Sequence, residues 1–460
     1  MHDPNRTRVL VVMVLVGVVL VAGVVWITTT PQSAGLRIAE LDAAAGTGLT
    51  RDRSLNPITP GPTLAGSGTT VPAAAPRKAP SAGAGSGSGP VATSAGLSPV
   101  AGCTPAPLAQ RAARTLIVGL PDITDPSDPL VEKVLEIGVG GIFLSPGNVE
   151  SRPQLLRLIK GIRAQAGRPI LVSIDEEPGR VSTLGDLIGT SRSARRMADE
   201  DKATDVRAYA TTVATELSRL GIDVNLAPVA DLTDGAWDEV IGDRSFSIDP
   251  AVASEYAMAY SQGMADGGVR PVAKHFPGQG RSADEVHYEA AEPVTVPLDT
   301  LRLTDVRPFR DLVRAGIPVV MMNHLRYTAL DRGLPASLSP KAYSLLRDLG
   351  FEGVAITDSL GMGAVNLTWG FYDSAPMAIA AGADGLLATD GFFAEEMRDG
   401  LVDAIAAGRL SETRMNEAAA RMVALAGGDP RVVSCLAVDL PRIEPAPLPV
   451  LATTIPRQGF

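Results

Sequence analysis

A chain of 460 residues, 45% of them hydrophobic, is long enough to bury a full-sized core, which excludes a wholly disordered protein. Acidic residues exceed basic residues by 51 to 41, so the formal net charge at pH 7 is −10. Because binding to nucleic-acid phosphates requires clustered lysine and arginine, this balance excludes a nucleic-acid partner.

The first segment, residues 1–28, is predicted to insert into a membrane. An uncharged run from Val9 to Ile27 follows Arg6 and Arg8. As a helix this run would span roughly 28 Å, at about 1.5 Å per residue, which is enough to cross a hydrocarbon core. No clear small-residue cleavage site follows it, which favours an uncleaved anchor over a cleaved signal peptide. We therefore expect a single-pass cell-membrane protein with an extracytoplasmic domain, which would be secreted if the segment were cleaved.

The next segment, residues 29–102, is rich in Ala, Gly, Ser, Thr and Pro. Such a composition cannot bury enough apolar area to offset the entropy of ordering, so a flexible linker is predicted. The folded domain is expected over residues 103–445, followed by a C-terminal tail over residues 446–460. Two cysteines, Cys103 and Cys435, lie near the two ends of this domain. In an oxidising compartment they could form a disulfide, and two unpaired thiols are the alternative.

From Cys103 onwards, short apolar runs alternate with amphipathic helical segments such as residues 152–167 and 208–221. The predicted strands are TLIVGL (115–120), GGIFLS (140–145), PILVSID (169–175), IDVNLAP (222–228), VRPVAKHF (269–276), PVVMMNH (318–324), GVAITDS (353–359) and DGLLAT (384–389). Near-continuous apolar strands separated by helices indicate an α/β fold with a parallel sheet covered on both faces. Eight such units favour a (β/α)8 TIM-type barrel over a doubly wound open sheet.

Polar side chains follow several of these strands, at the point where each strand ends. They are Asp175, Asn225 with Asp231, Lys274 with His275, His324 and Asp358. In a barrel the carboxyl ends of the strands converge on one face, where the βα loops build the active site. We therefore expect these residues to meet around one pocket, although Asn225 and Asp231 are expected to brace loops. His324 is equally consistent with bracing a strand end and with lining the pocket.

The loop KHFPGQGRSADEVH, residues 274–287, limits the chemistry of this pocket. Metal-dependent hydrolysis needs several imidazoles and carboxylates around the ion, and the predicted barrel has only three histidines, so no metal or other cofactor is expected. A Schiff-base mechanism needs a lysine with a lowered pKa, whereas Lys274 beside acids would stay protonated. Retaining glycoside hydrolysis needs a carboxylate nucleophile and a separate proton donor. Asp358 and His287 could supply them, with Glu285 orienting the imidazole.

The sequence resembles glycoside hydrolase family 3, and within it the single-domain bacterial β-N-acetylglucosaminidases. The resemblance covers roughly residues 112–425. It rests on the order and spacing of the motifs GGIFL, IDEEPGRV, NLAPVADL, GDRSF, KHFPGQG, the loop ending at His287, NH with LPASLS, ITDSLGMGA and AIAAGADGLL. The resemblance implies an enzyme that cleaves terminal β-linked N-acetylglucosamine through a covalent glycosyl-enzyme intermediate. The expected extracytoplasmic position of the domain favours peptidoglycan fragments as the substrate, and a monomer is expected.

The resemblance also implies a role for each matching residue. Asp175, Arg244, Lys274 and His275 would bind the terminal sugar, Asp358 would be the nucleophile, and His287, partnered by Glu285, would be the acid/base. The chain departs from the family pattern at Glu285, where aspartate is usual, and at Gln279, Pro178 and Thr183, which replace a histidine, a glycine and a sugar-binding arginine. These departures leave two alternatives open, a barrel that binds glycan without cleaving it and a β-glucosidase of the same family.

Overall fold

A computed structural model describes residues 97–282 and 286–443. The strands in these ranges are β1 Leu97–Pro99, β2 Leu116–Gly119, β3 Gly141–Leu144, β4 Leu171–Ile174, β5 Val224–Asn225, β6 Arg270–Phe276, β7 Val319–Met322, β8 Val354–Thr357, β9 Leu386–Ala388 and β10 Leu436–Val438. The helices there are α1 Leu108–Ala113, α2 Pro129–Ile137, α3 Arg152–Ala166, α4 Gly185–Ile188, α5 Ala194–Glu200, α6 Ala203–Leu220, α7 Pro250–Asp266, α8 Leu298–Leu303, α9 Arg307–Arg314, α10 Pro340–Asp348, α11 Gly363–Ala381, α12 Ala394–Ala406, α13 Glu412–Leu425 and α14 Arg431–Ser434. Short 3-10 turns lie at Pro146–Asn148, Gly242–Arg244, Ala336–Leu338 and Gly391–Phe393.

Strands β2 to β9 form the predicted barrel. They are all parallel, and their order in the sheet is β8-β7-β6-β5-β4-β3-β2-β9. The sheet closes because a parallel bridge joins Ile356 of β8 to Gly385, just before β9, and the Thr357 N–H donates to the Gly385 carbonyl at 3.0 Å. A doubly wound open sheet would instead leave two unpaired edges. The TIM-type α/β prediction is therefore confirmed at the level of the eight-stranded parallel sheet.

Apolar side chains from every barrel strand fill the interior. The residues of this inner cluster on the strands include Ile117, Phe143, Leu171, Val224, Val272, Val319, Val354 and Leu387, all of them buried. Met422 and Leu425 of α13 join the cluster. Met422 lies beside Gly385, so α13 covers the N-terminal ends of the strands. The opposite end, where the strands finish, is left for the polar residues.

Side chains along a strand alternate between its two faces, and this alternation places polar residues on the inner face at the open end of the barrel. Asp175, Lys274 and Asp358 each follow an inward-facing apolar residue of their own strand at an even spacing. In β6 the pairing with β7 also shifts register just before Phe276, and at this point His275 reaches the same cavity as Lys274. The barrel geometry thus brings side chains from β4, β6 and β8 to one place.

The outer helices form where the sequence has a helical period and clear end signals. In α3 the buried residues include Leu155, Leu158, Ile159 and Ile162, whose spacing of three and four places them on one face. The Ser151 side chain caps the start, and Gly167 ends the helix with a φ of 60°. The prediction of a helix over residues 152–167 is confirmed to within one residue at its end.

The two ends of the described domain are joined. Strand β1 pairs antiparallel with β10, and Cys103 and Cys435 form a disulfide with Cα atoms 5.6 Å apart. The predicted linker reaches residue 102, but its last residues, Leu97–Pro99, belong to the folded part because their backbone groups pair with the C-terminal strand. The predicted anchor (1–28), the predicted linker up to residue 96 and the predicted tail (446–460) lie outside the described residues. In the part of the chain that the structure describes, no helix is both long enough and apolar enough to cross a membrane.

Candidate active site

A cavity of about 460 Å³ opens at the carboxyl ends of the barrel strands. Six of the seven residues predicted to act on substrate line it, namely Asp175, Arg244, Lys274, His275, His287 and Asp358. The seventh, Glu285, lies outside the described residues. Side chains that are up to 183 positions apart, from Asp175 to Asp358, therefore face one space, as the sequence predicts.

Two cationic residues that line the cavity, Lys274 and Arg244, are both bound by the carboxylate of Glu177, for which no role is predicted from the sequence. Lys274 Nζ lies 2.5 Å from Asp175 Oδ1 and 2.6 Å from Glu177 Oε1, and Arg244 donates two hydrogen bonds of 2.9 Å to the Glu177 carboxylate. The Glu177 side chain is only 1% exposed. Burial raises its pKa, but Arg244 and Lys274 outweigh burial and hold the pKa well below the ordinary value. The only sequence signal for Glu177 is its place as the third acid of DEEPGR, residues 175–180.

The lysine is unsuited to Schiff-base chemistry. Burial lowers the pKa of Lys274, but the Asp175 and Glu177 carboxylates outweigh it, so the pKa lies above the ordinary lysine value. A lysine nucleophile needs the opposite shift. Lys274 is therefore a protonated hydrogen-bond donor, and together with Arg244 it can bind the hydroxyl and carbonyl oxygens of a sugar.

Replacing Glu177 by glutamine should weaken catalysis although Glu177 does not line the cavity. A neutral amide cannot balance Lys274 and Arg244, so both cations lose their fixed positions. We expect kcat/KM to fall by about ten- to hundredfold, which corresponds to the loss of one charged hydrogen-bonding partner. Steady-state kinetics on a chromogenic glycoside measure this, with Glu200→Gln, an exposed surface substitution, as the matched control. A folded Glu177→Gln protein with kcat/KM within twofold of the wild type would contradict this role.

His275 is oriented by a fully buried aspartate. His275 Nδ1 lies 2.6 Å from Asp231 Oδ2, and the other carboxylate oxygen accepts the backbone N–H groups of His275 at 3.2 Å and Gln279 at 2.7 Å. Because a carboxylate oxygen accepts, Nδ1 is the donor of this pair, and Arg244 Nη2 lies 3.5 Å from the other ring nitrogen, Nε2. Asp231 thus braces the loop after β6, as expected from the sequence.

Asp358 is half-buried at the end of β8 and is kept ionised. Its Oδ1 accepts the Ser359 N–H at 2.7 Å. Burial raises its pKa, but His275, His324, the Ser359 N–H and Lys274 together outweigh burial, so the pKa lies below the ordinary aspartate value. A carboxylate that is ionised at neutral pH and faces a polar cavity is the state that a glycosidase nucleophile needs.

His324 supports the loop behind Asp358. It is buried, its Nδ1 lies 2.7 Å from Ser337 Oγ, and its Nε2 donates to the Ser359 carbonyl at 2.8 Å. Burial is the largest effect on the pKa of His324 and leaves it below the ordinary histidine value. Of the two roles that the sequence left open, the structure supports the bracing one.

His287 is exposed at the cavity wall and is fixed through its backbone. The Gly363 N–H, at the start of α11, donates to the His287 carbonyl at 2.7 Å, and the Ala364 N–H donates to the Val286 carbonyl at 3.1 Å. A Cβ atom on Gly363 would lie 2.2 Å from the Tyr288 carbonyl oxygen, so only glycine permits this approach. Because α11 follows Asp358 closely in the chain, the same short segment supports both residues.

Substituting Gly363 by alanine should move the His287 loop without changing the side chain of Asp358 or His287. A displacement of about 1 Å can cost on the order of a hundredfold in rate, so we expect a fall in kcat of that size. Gly333→Ala is the control, because the nearest atom to its added Cβ, Asp331 Oδ1, is 3.9 Å away. Equal kcat values for the two folded variants would show that the position of the loop does not limit the reaction.

Among the described departures from the family pattern, Gln279 lines the cavity, whereas Pro178 and Thr183 do not. Thr183 is buried, donates to the Asp175 carbonyl at 2.7 Å and does not line the cavity. Arg180 lines the cavity and pairs with Asp243 at 3.2 Å. Asn225 exchanges hydrogen bonds with both backbone groups of Glu176, at 2.9 and 2.8 Å, and so fixes the turn that presents the neighbouring acids.

Comparison with known proteins gives a consistent match. The family profile described as glycosyl hydrolase family 3 N terminal domain matches residues 111–425. The β-hexosaminidase LpqI of Mycobacterium tuberculosis is 37% identical over 333 residues, covering 70% of this chain and 83% of the relative.

Solved structures agree with this match. A family 3 glycosyl hydrolase from Mycobacterium smegmatis has a TM-score of 0.65 and 38% identity, covering 70% of this chain and 97% of the other. A family 3 β-N-acetylglucosaminidase from Paenibacillus has a TM-score of 0.66 and 30% identity, covering 71% of this chain and 63% of the other.

Proposed function

Because the chain belongs to glycoside hydrolase family 3, we propose that it removes terminal β-linked N-acetylglucosamine from glycans with retention of configuration. The observation that carries this proposal is the single cavity shared by the Asp358 carboxylate, the His287 imidazole and the Lys274 and Arg244 donors. A nucleophile, a proton donor and sugar-binding groups on one concave surface are what a retaining exo-glycosidase requires.

The reaction would proceed in two displacements. Asp358 attacks the anomeric carbon and forms a glycosyl ester, while protonated His287 gives its proton to the departing glycosidic oxygen. In the second step neutral His287 takes a proton from water, the resulting hydroxide oxygen bonds to the anomeric carbon, and the Asp358 carboxylate leaves. The two steps restore both residues to their starting protonation states.

The choice of sugar rests on the named relatives and on the polar lining. The relatives are β-hexosaminidases and β-N-acetylglucosaminidases. Charged donors held by Glu177 can bind sugar hydroxyls and an acetamido carbonyl. We propose peptidoglycan-derived fragments as the natural substrates, because the apolar run at residues 9–27 would place the domain outside the cytoplasm. The Cys103–Cys435 disulfide supports an oxidising compartment.

Two chromogenic substrates with the same leaving group test the proposal. We expect kcat/KM on para-nitrophenyl N-acetyl-β-glucosaminide to exceed that on the matching β-glucoside by at least about tenfold, since the acetamido group offers extra hydrogen bonds. A preference for the glucoside would identify a β-glucosidase instead. Binding of N-acetylglucosamine without cleavage of either substrate would identify a glycan-binding barrel.

A further inference from the structure

A second cavity lies at the other end of the barrel. It has a volume of about 270 Å³ and is lined by residues that precede β2, β3 and β4 and by the C-terminal part of α13 with α14. Its lining includes the cationic residues Arg114 and Arg168 and the apolar residues Met422, Val423 and Val432. We refer to this space as the floor cavity.

Neither arginine of the floor cavity has an acidic partner among residues 97–282 and 286–443. Arg114 Nη1 donates to the Gly138 carbonyl, and Arg168 Nη2 donates to the Val139 carbonyl at 2.6 Å. Arg114 is 9% exposed. Buried arginines are ordinarily paired with carboxylates, and the buried Arg421 of this same barrel lies 3.5 Å from Asp384.

The electrostatics of the floor cavity favour a bound anion. Burial, and after it the charge of Arg114, lowers the pKa of Arg168 to about 10, and burial also lowers the pKa of Arg114. Asp429 lines the cavity too, but its carboxylate is already bound by Arg431 through hydrogen bonds of 2.8 Å. Two neighbouring guanidinium charges therefore remain without a counter-charge in the described structure.

We propose that the floor cavity binds the phosphate group of a small phosphorylated ligand. Phosphate carries a charge of about −1.5 to −2 near neutral pH, which matches two guanidinium groups, whereas a single carboxylate would balance only one. Arginine also binds phosphate through paired hydrogen bonds. The volume of about 270 Å³ is several times the roughly 30 Å³ that one water occupies, and the apolar lining residues Met422, Val423 and Val432 suit the organic part of a phosphomonoester. The site is separate from the active site and does not depend on the proposed glycosidase activity.

Thermal unfolding of the full chain in inorganic phosphate tests this inference. Phosphate should raise the unfolding midpoint above that in chloride of equal ionic strength, because a ligand that binds only the folded state stabilises it. Acetate at the same ionic strength should raise it less. Arg168→Gln, at a half-buried position that can change without a large cavity, should weaken phosphate binding by at least about tenfold. The exposed Arg219→Gln substitution should leave binding unchanged.

Three results would overturn the proposal. The first is an unfolding midpoint in phosphate that is no higher than the midpoint in chloride. The second is a rise of the midpoint in acetate as large as the rise in phosphate. The third is a rise in phosphate that the Arg168→Gln variant still shows. A response that is lost in Lys274→Gln but kept in Arg168→Gln would place the phosphate in the active site instead. Isothermal titration of the same variants with phosphate gives the affinities directly.

Discussion

Replacing Asp358 by alanine is expected to lower kcat for para-nitrophenyl N-acetyl-β-glucosaminide by about 10⁴-fold or more, the scale seen when a nucleophile is removed. The physical reason is that the described cavity places the ionised Asp358 beside the cationic and imidazole groups, where it can form the glycosyl ester. The truncation leaves Lys274 and Arg244 held by Glu177, so N-acetylglucosamine binding should survive.

Two observations separate loss of the nucleophile from general damage. Asp348→Ala, at an exposed position on α10, should keep wild-type kcat. In the proposed mechanism Asp358 acts as the carboxylate, and its pKa lies below the ordinary aspartate value. The wild-type kcat/KM should therefore show no loss from protonation of Asp358 until the pH falls below about 4. An Asp358→Ala enzyme with more than a few per cent of wild-type kcat would show that another group forms the bond.

Replacing Asp384 by asparagine is expected to lower the free energy of unfolding by about 3 to 5 kcal/mol, the cost of breaking a buried ion pair. Asp384 is fully buried just before β9. Its carboxylate lies 2.5 Å from Arg414, 3.0 Å from Arg347 and 3.5 Å from Arg421, and it accepts the Ala355 N–H at 3.0 Å. An amide of the same shape would leave Arg347 and Arg421 without a counter-charge where the barrel closes, and Arg414 with Glu417 as its only acidic partner among the described residues. Denaturant unfolding followed by circular dichroism measures the change.

The pH dependence of stability provides the control for Asp384. Burial raises its pKa, but Arg421, Arg414 and Arg347 outweigh burial, so the folded pKa is lower than the unfolded value of about 3.9. Its contribution is therefore present above that value and is lost as the pH falls through the folded pKa. The unfolding free energy of Asp384→Asn should therefore fall less with decreasing pH than that of the wild type. The exposed Asp399→Asn variant should show the same pH dependence as the wild type. A loss below 1 kcal/mol in Asp384→Asn would contradict the role of the cluster.

The sequence predicts the barrel and its polar rim because both follow from local patterns. Short apolar runs indicate the strands. Because side chains alternate between the two faces of a strand, Asp175 and Asp358 lie on the inner face at the strand ends. The motif resemblance then indicates which polar residues share the cavity. These features need no knowledge of what lies beside each residue in space.

What the sequence did not reveal depends on contacts between distant segments. In the sequence nothing distinguishes Glu177 from the neighbouring acids. Its role follows from its ion pairs with Lys274 and Arg244, which lie far from it in the chain. Gly363 resembles any glycine at the start of a helix until the Tyr288 carbonyl is found against it. Strand β1 was assigned to the linker because Leu97–Pro99 has a linker-like composition, and only its pairing with β10 makes it a strand.

The most direct test of the account is to trap the glycosyl enzyme. A fluorinated N-acetylglucosaminyl fluoride that reacts with the nucleophile but is hydrolysed slowly should add one sugar to the protein. Peptide mass spectrometry should then find that sugar on Asp358, and the Asp358→Ala variant should not be labelled. A sugar attached to another residue during productive turnover, or a first product of inverted configuration, would contradict a reaction in which Asp358 and His287 act together on one glycosidic bond.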